Sequence, residues 1–426
     1  MQPKPPSTRL RAVPVIFAAA LFLTSAWATD HETVLYNFGT NGNDGGGGTS
    51  LIRDAAGNLY GTTSNGGIYP CGIFGCGTVF ELSPVAGGGW TEAVLHNFGD
   101  GTDGAQPNGL MMDAAGNFYG VTGSGGLYGG GIAYELSPSQ GGGWTESVLY
   151  NFSRGGGYGN GSYSLIKDAA GNLYGTMFYG GTYGEGMVFQ LSPNEGGEWT
   201  ETVLHSFGNG SDAAYPEAGV IMDTAGNLYG TTYGGGVNRI GAVFELSPRQ
   251  GGGWTETILH SFNGSDGSGP WASLIMDAAG NLYGTTEQGG AYCPPFGCGT
   301  VFEMSLDAGD DWTETVLYSF DNLPDAELPV SSLIRDGAGN LYGTTSEGGE
   351  NDDGTVFEVS PRQGGWKESV LHSFGNVNDG SVVFGSVVMD RAGDLYGTTL
   401  NGGAYYSGLA FELTPSSIRP GLSVPH

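Results

Sequence analysis

A ten-residue motif recurs along the whole chain and constrains its fold more than any other feature. Over residues 277–286 it reads Asp-Ala-Ala-Gly-Asn-Leu-Tyr-Gly-Thr-Thr. Seven copies, some with substitutions, lie 54 to 59 residues apart. Their tyrosines are Tyr60, Tyr119, Tyr174, Tyr229, Tyr283, Tyr342 and Tyr396. Self-similarity at a period of this size is typical of solenoids, propellers and other repeat arrays.

Each repeat contains four short segments with the character of β-strands. In the repeat at 273–320, strand A (Leu274–Met276) is apolar, and an Asp/Gly/Asn turn leads to strand B (Leu282–Thr286). Strand C (Thr300–Met304) and strand D (Trp312–Phe320) alternate with period two and are rich in β-branched and aromatic residues. No repeat shows helical periodicity. Four antiparallel strands per repeat predict one blade of a β-propeller.

The two ends of the chain are out of phase with the repeats. Thr33–Phe38 has the sequence of a strand D but precedes the first strand A, whereas the last repeat stops after its strand C at residues 410–413. We therefore predict an all-β, seven-bladed propeller over residues 29–415, in which the N-terminal strand completes the last blade. Closure would remove the exposed strand edges. A linear β-solenoid, the alternative, would need caps at both ends.

Residues 1–28 have the features of a secretory signal peptide. Three basic residues precede the apolar run Val13–Thr24, and Ala26-Trp27-Ala28 matches a cleavage site. We expect cleavage after Ala28, with an uncleaved membrane anchor as the alternative. No later segment is apolar enough to span a membrane, and residues 416–426 are interpreted as a C-terminal tail without an anchor.

The chain is strongly acidic. It has 43 acidic and 13 basic residues, and three of the basic ones lie in the predicted signal peptide, so the expected mature form carries a net charge of −33. Such a field repels nucleic acid and anionic lipid and favours cations. We expect an exported monomer, secreted or periplasmic, with no nucleic-acid partner and no membrane span after cleavage.

Four cysteines form two matching pairs, Cys71 with Cys76 and Cys293 with Cys298. An even number of cysteines in an exported chain indicates disulfides. Because both pairs occupy the same place in their own repeats, two local bridges are favoured among the three connectivities. The alternative is a zinc site, for which all four cysteines would have to converge from distant repeats.

Three motifs together resemble the GloVer (Gloeobacter/Verrucomicrobia) tandem-repeat family. They are Asp-x-Ala-Gly-Asn-Leu-Tyr-Gly-Thr-Thr, Gly-Thr-Val-Phe-Glu-Leu-Ser-Pro and Gly-Gly-Trp-Thr-Glu-Thr-Val-Leu-His-Ser-Phe, and the likeness covers Thr33–Pro415. The resemblance implies an exported bacterial protein, often joined to a C-terminal surface anchor. The sequence ends at His426 without such an anchor, so free secretion or periplasmic residence is expected more than attachment to the cell surface. The resemblance implies no reaction.

Residues that occur in every repeat are interpreted as scaffold. An aspartate before each A–B turn is expected to accept backbone N–H groups, with a ring of metal sites as the alternative. Histidines and tyrosines exchange at one strand-D position, which favours packing over metal binding. The strand-D glutamates are interpreted as a solvated face. The three sets are Asp54, Asp113, Asp168, Asp223, Asp277, Asp336 and Asp390; His96, His205, His260 and His372 with Tyr36, Tyr150 and Tyr318; and Glu92, Glu146, Glu201, Glu256, Glu314 and Glu368.

The D–A and B–C loops share one rim of a propeller and are the variable part of these repeats. Most D–A loops carry an aspartate among glycines and asparagines, and most B–C loops carry a tyrosine after Gly-Gly. Carboxylates there could bind Ca²⁺ through oxygen, and tyrosines could stack on sugar rings. The alternative is that aspartate and glycine are simply good turn residues. No other cofactor is expected.

Residues that break the repeat are the candidate ligand-binding set. Three precede a strand A, where the chain enters the central channel, and one of them is the only tryptophan of the expected mature chain outside strand D. Two replace the acid of the third D–A loop, and one lies in a B–C loop. Two cations on an acidic rim could clamp a carboxylate. In that order, the residues are Asn108, Glu217 and Trp271; Arg154 and Tyr163; and Arg239.

No catalytic motif is visible in the sequence. It contains no nucleophile elbow, zinc-protease helix, phosphate loop or dinucleotide fingerprint. The leading hypothesis is therefore a non-catalytic secreted propeller that binds a carbohydrate or an extracellular protein on its rim. A glycan-active hydrolase or lyase that uses Glu217 and rim carboxylates is one alternative. A structural component of the cell envelope is the other.

Overall fold

The computed structural model describes residues 31–40, 42–72, 75–153, 164–307, 309, 311–375 and 378–415. The predicted signal peptide, the predicted tail and the candidates Arg154 and Tyr163 lie outside these residues. Within them the regular structure is entirely β-strand. They include no helix that could cross a membrane.

The strands form seven antiparallel blades, each ordered A, B, C, D from the central channel outward. This confirms the predicted seven-bladed propeller. Strands A are Ile52–Arg53, Ala105–Met112, Ile166–Lys167, Ile221–Met222, Ile275–Met276, Ile334–Arg335 and Val388–Met389. Strands B are Leu59–Asn65, Phe118–Ser124, Leu173–Met177, Leu228–Thr232, Leu282–Thr286, Leu341–Gly348 and Leu395–Thr398. Strands C are Thr78–Pro84, Gly129–Pro138, Met187–Pro193, Ala242–Pro248, Thr300–Leu306, Thr355–Arg362 and Leu409–Thr414. Strands D of blades 1 to 6 are Trp90–Asn97, Trp144–Ser153, Trp199–Ser206, Trp254–Ser261, Trp312–Ser319 and Gly365–Ser373.

The seventh blade takes its strand D from the other end of the chain. His31–Asn37 pairs antiparallel with Leu409–Thr414, and His31 lies opposite Thr414. The amide of Phe38 donates to the carbonyl of Gly408 over 3.1 Å. The predicted closure of the ring by the N-terminal strand is confirmed.

Several blades contain a further short pairing at the loop rim, which the sequence did not predict. The D–A segment pairs with the end of strand B or with the residues that follow it. Gly46–Gly48 and Ala326–Pro329 pair with the end of strand B. Ala213–Ala214 pairs with Gly234–Gly235, and Gly380–Ser381 pairs with Asn401–Gly402. The rim is therefore fixed by backbone hydrogen bonds, which position its side chains.

The core lies between blades. The phenylalanine at the C-terminal end of each strand D packs against the strand-C aromatic of the next blade, with ring centroids 5.0 to 5.2 Å apart. Phe38 contacts Phe80 in this way, and both rings are fully buried. Because burying a phenylalanine contributes about 1.5–3 kcal/mol, seven such contacts hold neighbouring blades together.

The glycine of Leu-Tyr-Gly leaves room for the strand-C ring. A Cβ added at Gly284 would lie 2.6 Å from Cζ of Phe302 and 2.9 Å from Cδ2 of Leu274. We expect Gly284→Ala to destabilise the protein by about 1–3 kcal/mol, because the buried ring has nowhere to move. Gly196→Ala is the control, since a Cβ there has no heavy atom within 4 Å. Urea unfolding of both variants measures the difference, and equal midpoints would contradict this packing.

The A–B turn is closed by its aspartate, as predicted. In all seven blades the aspartate Oδ1 accepts the backbone N–H four residues later over 2.8 to 3.0 Å. In six blades the strand-B tyrosine donates to Oδ2 of the same side chain. The glycine of this turn takes a positive φ, 97° at Gly57.

The cysteines form two local disulfides, Cys71–Cys76 and Cys293–Cys298, as expected. Each closes a B–C loop at the rim. No free cysteine occurs among the residues that the structure covers.

Candidate functional site

The segments that precede the strands A, and in blade 2 the strand Ala105–Met112 itself, line a cavity of about 550 Å³ at the central channel. It brings together three of the six candidates, namely Asn108, Glu217 and Trp271, with Val330 at the equivalent position of another blade. Asn108 and Trp271 are half-buried, and Glu217 is 6% exposed. Three of the six positions that break the repeat therefore meet at one cavity.

Threonine hydroxyls hold these segments across the blade interfaces. The first threonine of the repeated Gly-Thr-Thr donates to a backbone carbonyl of the next blade, which lies just before strand A or, for Thr62, within it at Pro107. Thr231 Oγ1 donates to the carbonyl of Ala272 over 2.9 Å, directly after Trp271. The other donors are Thr62, Thr176, Thr285, Thr344 and Thr398, over 2.7 to 3.3 Å. The cavity wall is thus pre-formed by the scaffold.

Serine hydroxyls surround the channel, a feature that the sequence analysis missed. The residue before the apolar start of strand A is serine in five blades, and all five line the cavity. Ser50 Oγ accepts the amide of Ser386, and Ser273 Oγ donates to the carbonyl of Gly219. The five are Ser50, Ser164, Ser273, Ser332 and Ser386. Their recurrence at one position was visible in the sequence.

Aromatic rings extend from the cavity onto the rim. The ring of Trp271 meets that of Tyr233 edge to face, with centroids 5.7 Å apart. Tyr233 and Tyr215 line a second cavity of about 600 Å³. Tyr215 also contacts Phe178, with centroids 5.2 Å apart, and adopts a φ of 61°. A non-glycine residue in this region is strained by roughly 1–3 kcal/mol, so the surrounding structure imposes its position.

The electrostatics of this area are negative. Burial raises the pKa of Tyr233, and the carboxylates of Glu287 and Glu217 raise it further. Burial and the charge of Glu347 raise the pKa of Glu287. Among the described residues that line the channel cavity, Glu217 is the only carboxylate. The structure therefore brings no second acid to Glu217 within that lining.

The remaining candidates lie elsewhere. Arg239 is exposed, has a φ of 62° and lines the second cavity with Tyr215 and Asp212. It is not part of the channel lining. Because Arg154 and Tyr163 lie outside the described residues, the predicted pair of cations stays a prediction.

The interpretation of the strand-D glutamates as a solvated face is wrong. Each glutamate is half-buried at the interface with the preceding blade. Five of them lie near the rim aspartate of that interface, whereas Glu201 lies near Tyr150. Five of them, and Glu32 in the N-terminal strand D of blade 7, have a buried Oε1 without a hydrogen-bond partner; the five are Glu92, Glu146, Glu256, Glu314 and Glu368. The alternation of strand D could have indicated this, because the glutamate follows a half-buried tryptophan by two residues and so lies on the same side of the strand.

The pKa values of these glutamates follow from their burial. Burial raises the pKa of Glu92, Glu146 and Glu314 to about 7. It raises that of Glu368 to about 8, with a further contribution from the charge of Asp325. Burial and Asp212 likewise raise the pKa of Glu256.

The rim aspartates are engaged in the loops. The histidine Nε2 lies 3.1 to 3.4 Å from an aspartate Oδ2 in four blades. The tyrosine hydroxyls of Tyr36 and Tyr318 donate to Asp44 and Asp325 over 2.8 and 2.9 Å. The four pairs are His96–Asp103, His205–Asp212, His260–Asp266 and His372–Asp379. Binding of Ca²⁺ by these aspartates stays a prediction.

Fold and cavity define a seven-bladed repeat propeller with a pre-formed, aromatic-edged channel mouth. The Gloeobacter/Verrucomicrobia repeat matches residues 20–238 and 220–419. The chain belongs to this repeat family, as the three motifs indicated. No curated protein matches it in sequence. Two disulfides fit an extracellular or periplasmic compartment.

Solved structures show the same architecture. The extracellular domain described for a one component system of B. thetaiotaomicron superposes with a TM-score of 0.52 at 10% identity, covering 90% of this chain and 40% of that one. The extracellular domain described for a hybrid two component system of the same organism superposes with a TM-score of 0.53 at 10% identity, covering 89% of this chain and 39% of that one. A protein of unknown function from Dyadobacter fermentans has a TM-score of 0.45 at 11% identity, covering 90% of this chain and 97% of that one. The chain spans about two fifths of the first two structures. At these identities the first two support the fold alone.

Proposed function

We propose that this protein is an exported propeller that binds a carbohydrate at the mouth of its central channel, with Trp271 as the platform for a sugar ring. The observation that carries the proposal is the meeting of Trp271, Asn108 and Glu217 in one cavity with a ring of serines. The position of Trp271 in the channel wall distinguishes it from the strand-D tryptophans.

The size and chemistry of the cavity support this proposal. Its volume of about 550 Å³ lies within the range of small-molecule sites, roughly 300–1,000 Å³. A sugar offers an apolar C–H face and a rim of hydroxyls. An indole ring presents a large flat apolar surface, and serine hydroxyls and the Asn108 amide both donate and accept hydrogen bonds. Glu217 would accept hydrogen bonds from sugar hydroxyls.

The pre-formed wall also favours binding. The Thr231 bond to Ala272 and the packing of Trp271 on Tyr233 fix the indole before a ligand arrives. A side chain that is already ordered loses little conformational entropy on binding.

Thermal unfolding across a panel of oligosaccharides tests the proposal. One sugar class should raise the Tm, and Trp271→Ala should weaken its binding at least about tenfold, or roughly 1.4 kcal/mol. Glu217→Gln should weaken it less, since the amide keeps the acceptor oxygen. Tyr128→Ala is the control, because this 59% exposed rim tyrosine lies outside both cavities.

Two results would overturn the carbohydrate proposal. One is the absence of a shift with every sugar class. The other is a shift that Trp271→Ala and Tyr128→Ala reduce equally. The extracellular-protein alternative would then be tested by cross-linking the full chain to surface extracts, with Trp271→Ala as the comparison.

A further inference from the structure

We propose that the interfaces between blades bind a divalent transition cation of the zinc type through a histidine, an aspartate and a glutamate. The first such site, between blades 1 and 2, consists of His96, Asp103 and Glu146. The same set recurs as His205, Asp212 and Glu256 between blades 3 and 4, and as His260, Asp266 and Glu314 between blades 4 and 5.

The three ligand atoms converge in each set. They lie within 4.8 Å of one another, and His96 Nε2 is 3.4 Å from Asp103 Oδ2. Ligands about 2.0–2.1 Å from a tetrahedral zinc ion lie roughly 3.3 Å apart. The distance between His96 and Asp103 therefore already suits such an ion, and the Glu146 oxygen, within 4.8 Å of both, would move closer on binding.

The first site contains polar atoms without partners. His96 Nε2, Asp103 Oδ2 and Glu146 Oε1 are all buried and make no hydrogen bond. Asp103 is 6% exposed. Buried polar atoms are nearly always hydrogen-bonded, whereas here His96 Nε2 and Asp103 Oδ2 face each other over 3.4 Å without hydrogen-bond geometry and Glu146 Oε1 has no hydrogen bond. A cation satisfies all three at once, because each can present a lone pair.

The surroundings hold these side chains in place. The His96 ring packs edge to face on Phe98, with centroids 4.6 Å apart. Asp103 Oδ1 accepts the amide of Gly99 over 2.8 Å, which leaves Oδ2 directed to the histidine. Glu146 belongs to strand D of blade 2, opposite Leu136 of strand C. Two blades and the loop between them thus each supply one ligand.

The ligand chemistry selects the kind of cation. One imidazole nitrogen and two carboxylate oxygens suit zinc and its neighbours in the first transition row. Ca²⁺ prefers six to eight oxygen ligands, and this set contains a nitrogen and only three protein donors. A fourth position would remain for water.

The other interfaces provide an internal comparison. At the interfaces that use Tyr36 or Tyr318, the phenol donates a hydrogen bond to the aspartate, and that bond replaces the cation. At His372 and Asp379 the corresponding glutamate is Glu32, which interacts with both charges, but among the described residues no third ligand atom lies within 4.8 Å of the pair. From the sequence alone, the exchange of histidine and tyrosine favours packing. In this proposal it distinguishes the metal-binding interfaces from the hydrogen-bonded ones.

Zn²⁺ titration of the EDTA-stripped mature protein by calorimetry tests the proposal, with excess Mg²⁺ to suppress binding to the acidic surface. We expect up to three sites, a raised Tm that EDTA reverses, and Co²⁺ absorption bands typical of a mixed N/O site. His96→Tyr should remove one site and preserve the fold, since the chain already uses tyrosine at this position. Glu146→Gln should weaken the same site at least about tenfold, whereas His372→Tyr should change nothing.

Either of two outcomes would overturn the proposal. The first is no Zn²⁺ binding above the Mg²⁺ background. The second is an unchanged stoichiometry in the variant that combines His96→Tyr, His205→Tyr and His260→Tyr while its Tm without metal matches that of the parent.

Discussion

Removal of the N-terminal strand should destabilise the protein more than any single substitution. A chain of residues 39–415 lacks the strand D of blade 7 and exposes the edge of Leu409–Thr414. It also loses Leu35 and Phe38, which are 9% and 0% exposed, and the contact of Phe38 with Phe80. Loss of a buried phenylalanine alone costs about 3–5 kcal/mol.

We expect the truncated chain to unfold roughly 10 °C or more below the chain of residues 29–415, and to associate through its open edge. Calorimetry and light scattering measure both effects. A peptide of residues 31–38 should restore part of the Tm by adding the missing strand, and the same peptide with Phe38→Ala should restore less. Equal melting temperatures of the two chains would contradict the closed ring.

The strand-D glutamates should make the protein more stable in mild acid than in mild base. Each has a pKa above its value in the unfolded chain, because burial disfavours its charge. The folded state therefore binds more protons than the unfolded state between about pH 4.5 and 8. This stabilisation is fully present below pH 4.5 and is lost as the pH rises through the folded-state values of about 7 to 8.

The effect is large because it is repeated around the ring. All seven interfaces contain a strand-D glutamate whose pKa is raised by burial, and the solvent around these half-buried carboxylates reduces what each one contributes. At lower pH the turn aspartates have the opposite effect, because the stabilisation that they contribute is lost as the pH falls. Burial alone would raise the pKa of Asp54, but hydrogen bonds from Asn58 outweigh it and lower the pKa. Turn aspartates of this kind lose their contribution below about pH 4.

Melting curves in EDTA between pH 5 and pH 9 check this prediction. The Tm should fall by roughly 10 °C or more across the range. Glu368→Gln should raise the Tm at pH 9 more than at pH 5, because the neutral amide avoids the charge beside Asp325. Glu195→Gln changes the net charge equally but lies on an exposed turn, and it should leave the slope unchanged. A Tm that is flat or rises with pH would contradict the burial of these carboxylates.

The repeat explains why the fold could be predicted from the sequence. Because the pattern occurs seven times, the strands can be assigned more clearly than from a single copy. The strand-D sequence that precedes the first strand A predicts how the ring closes. The matched positions of the cysteine pairs determined the disulfides. The short rim pairings, such as Gly46–Gly48, could not be predicted, because glycine runs have no side-chain pattern and their pairing depends on the neighbouring strand.

The site could be predicted in part. Departures from the repeat located Asn108, Glu217 and Trp271, since repetition places equivalent positions around one axis. The serine ring was missed for the opposite reason: its members repeat, and repetition was equated with scaffold. The prediction that the glutamates are solvated is wrong because strand D, although it is the outermost strand of a blade, is not exposed on both sides. In a propeller each blade faces its neighbour, and one side of the strand, with Glu146 on it, packs against the preceding blade.

The seam between the first and last strands also determines how the ring bears tension. His31 and Thr414 face each other at one end of an antiparallel pair, so a pull on the two chain ends loads the hydrogen bonds one after another, as in a zipper. Bonds loaded in this order give way at low force, whereas strands pulled along their length resist together. Stretching would therefore open the molecule first at blade 7. The same strand that stabilises the ring against heat is its weakest point under load.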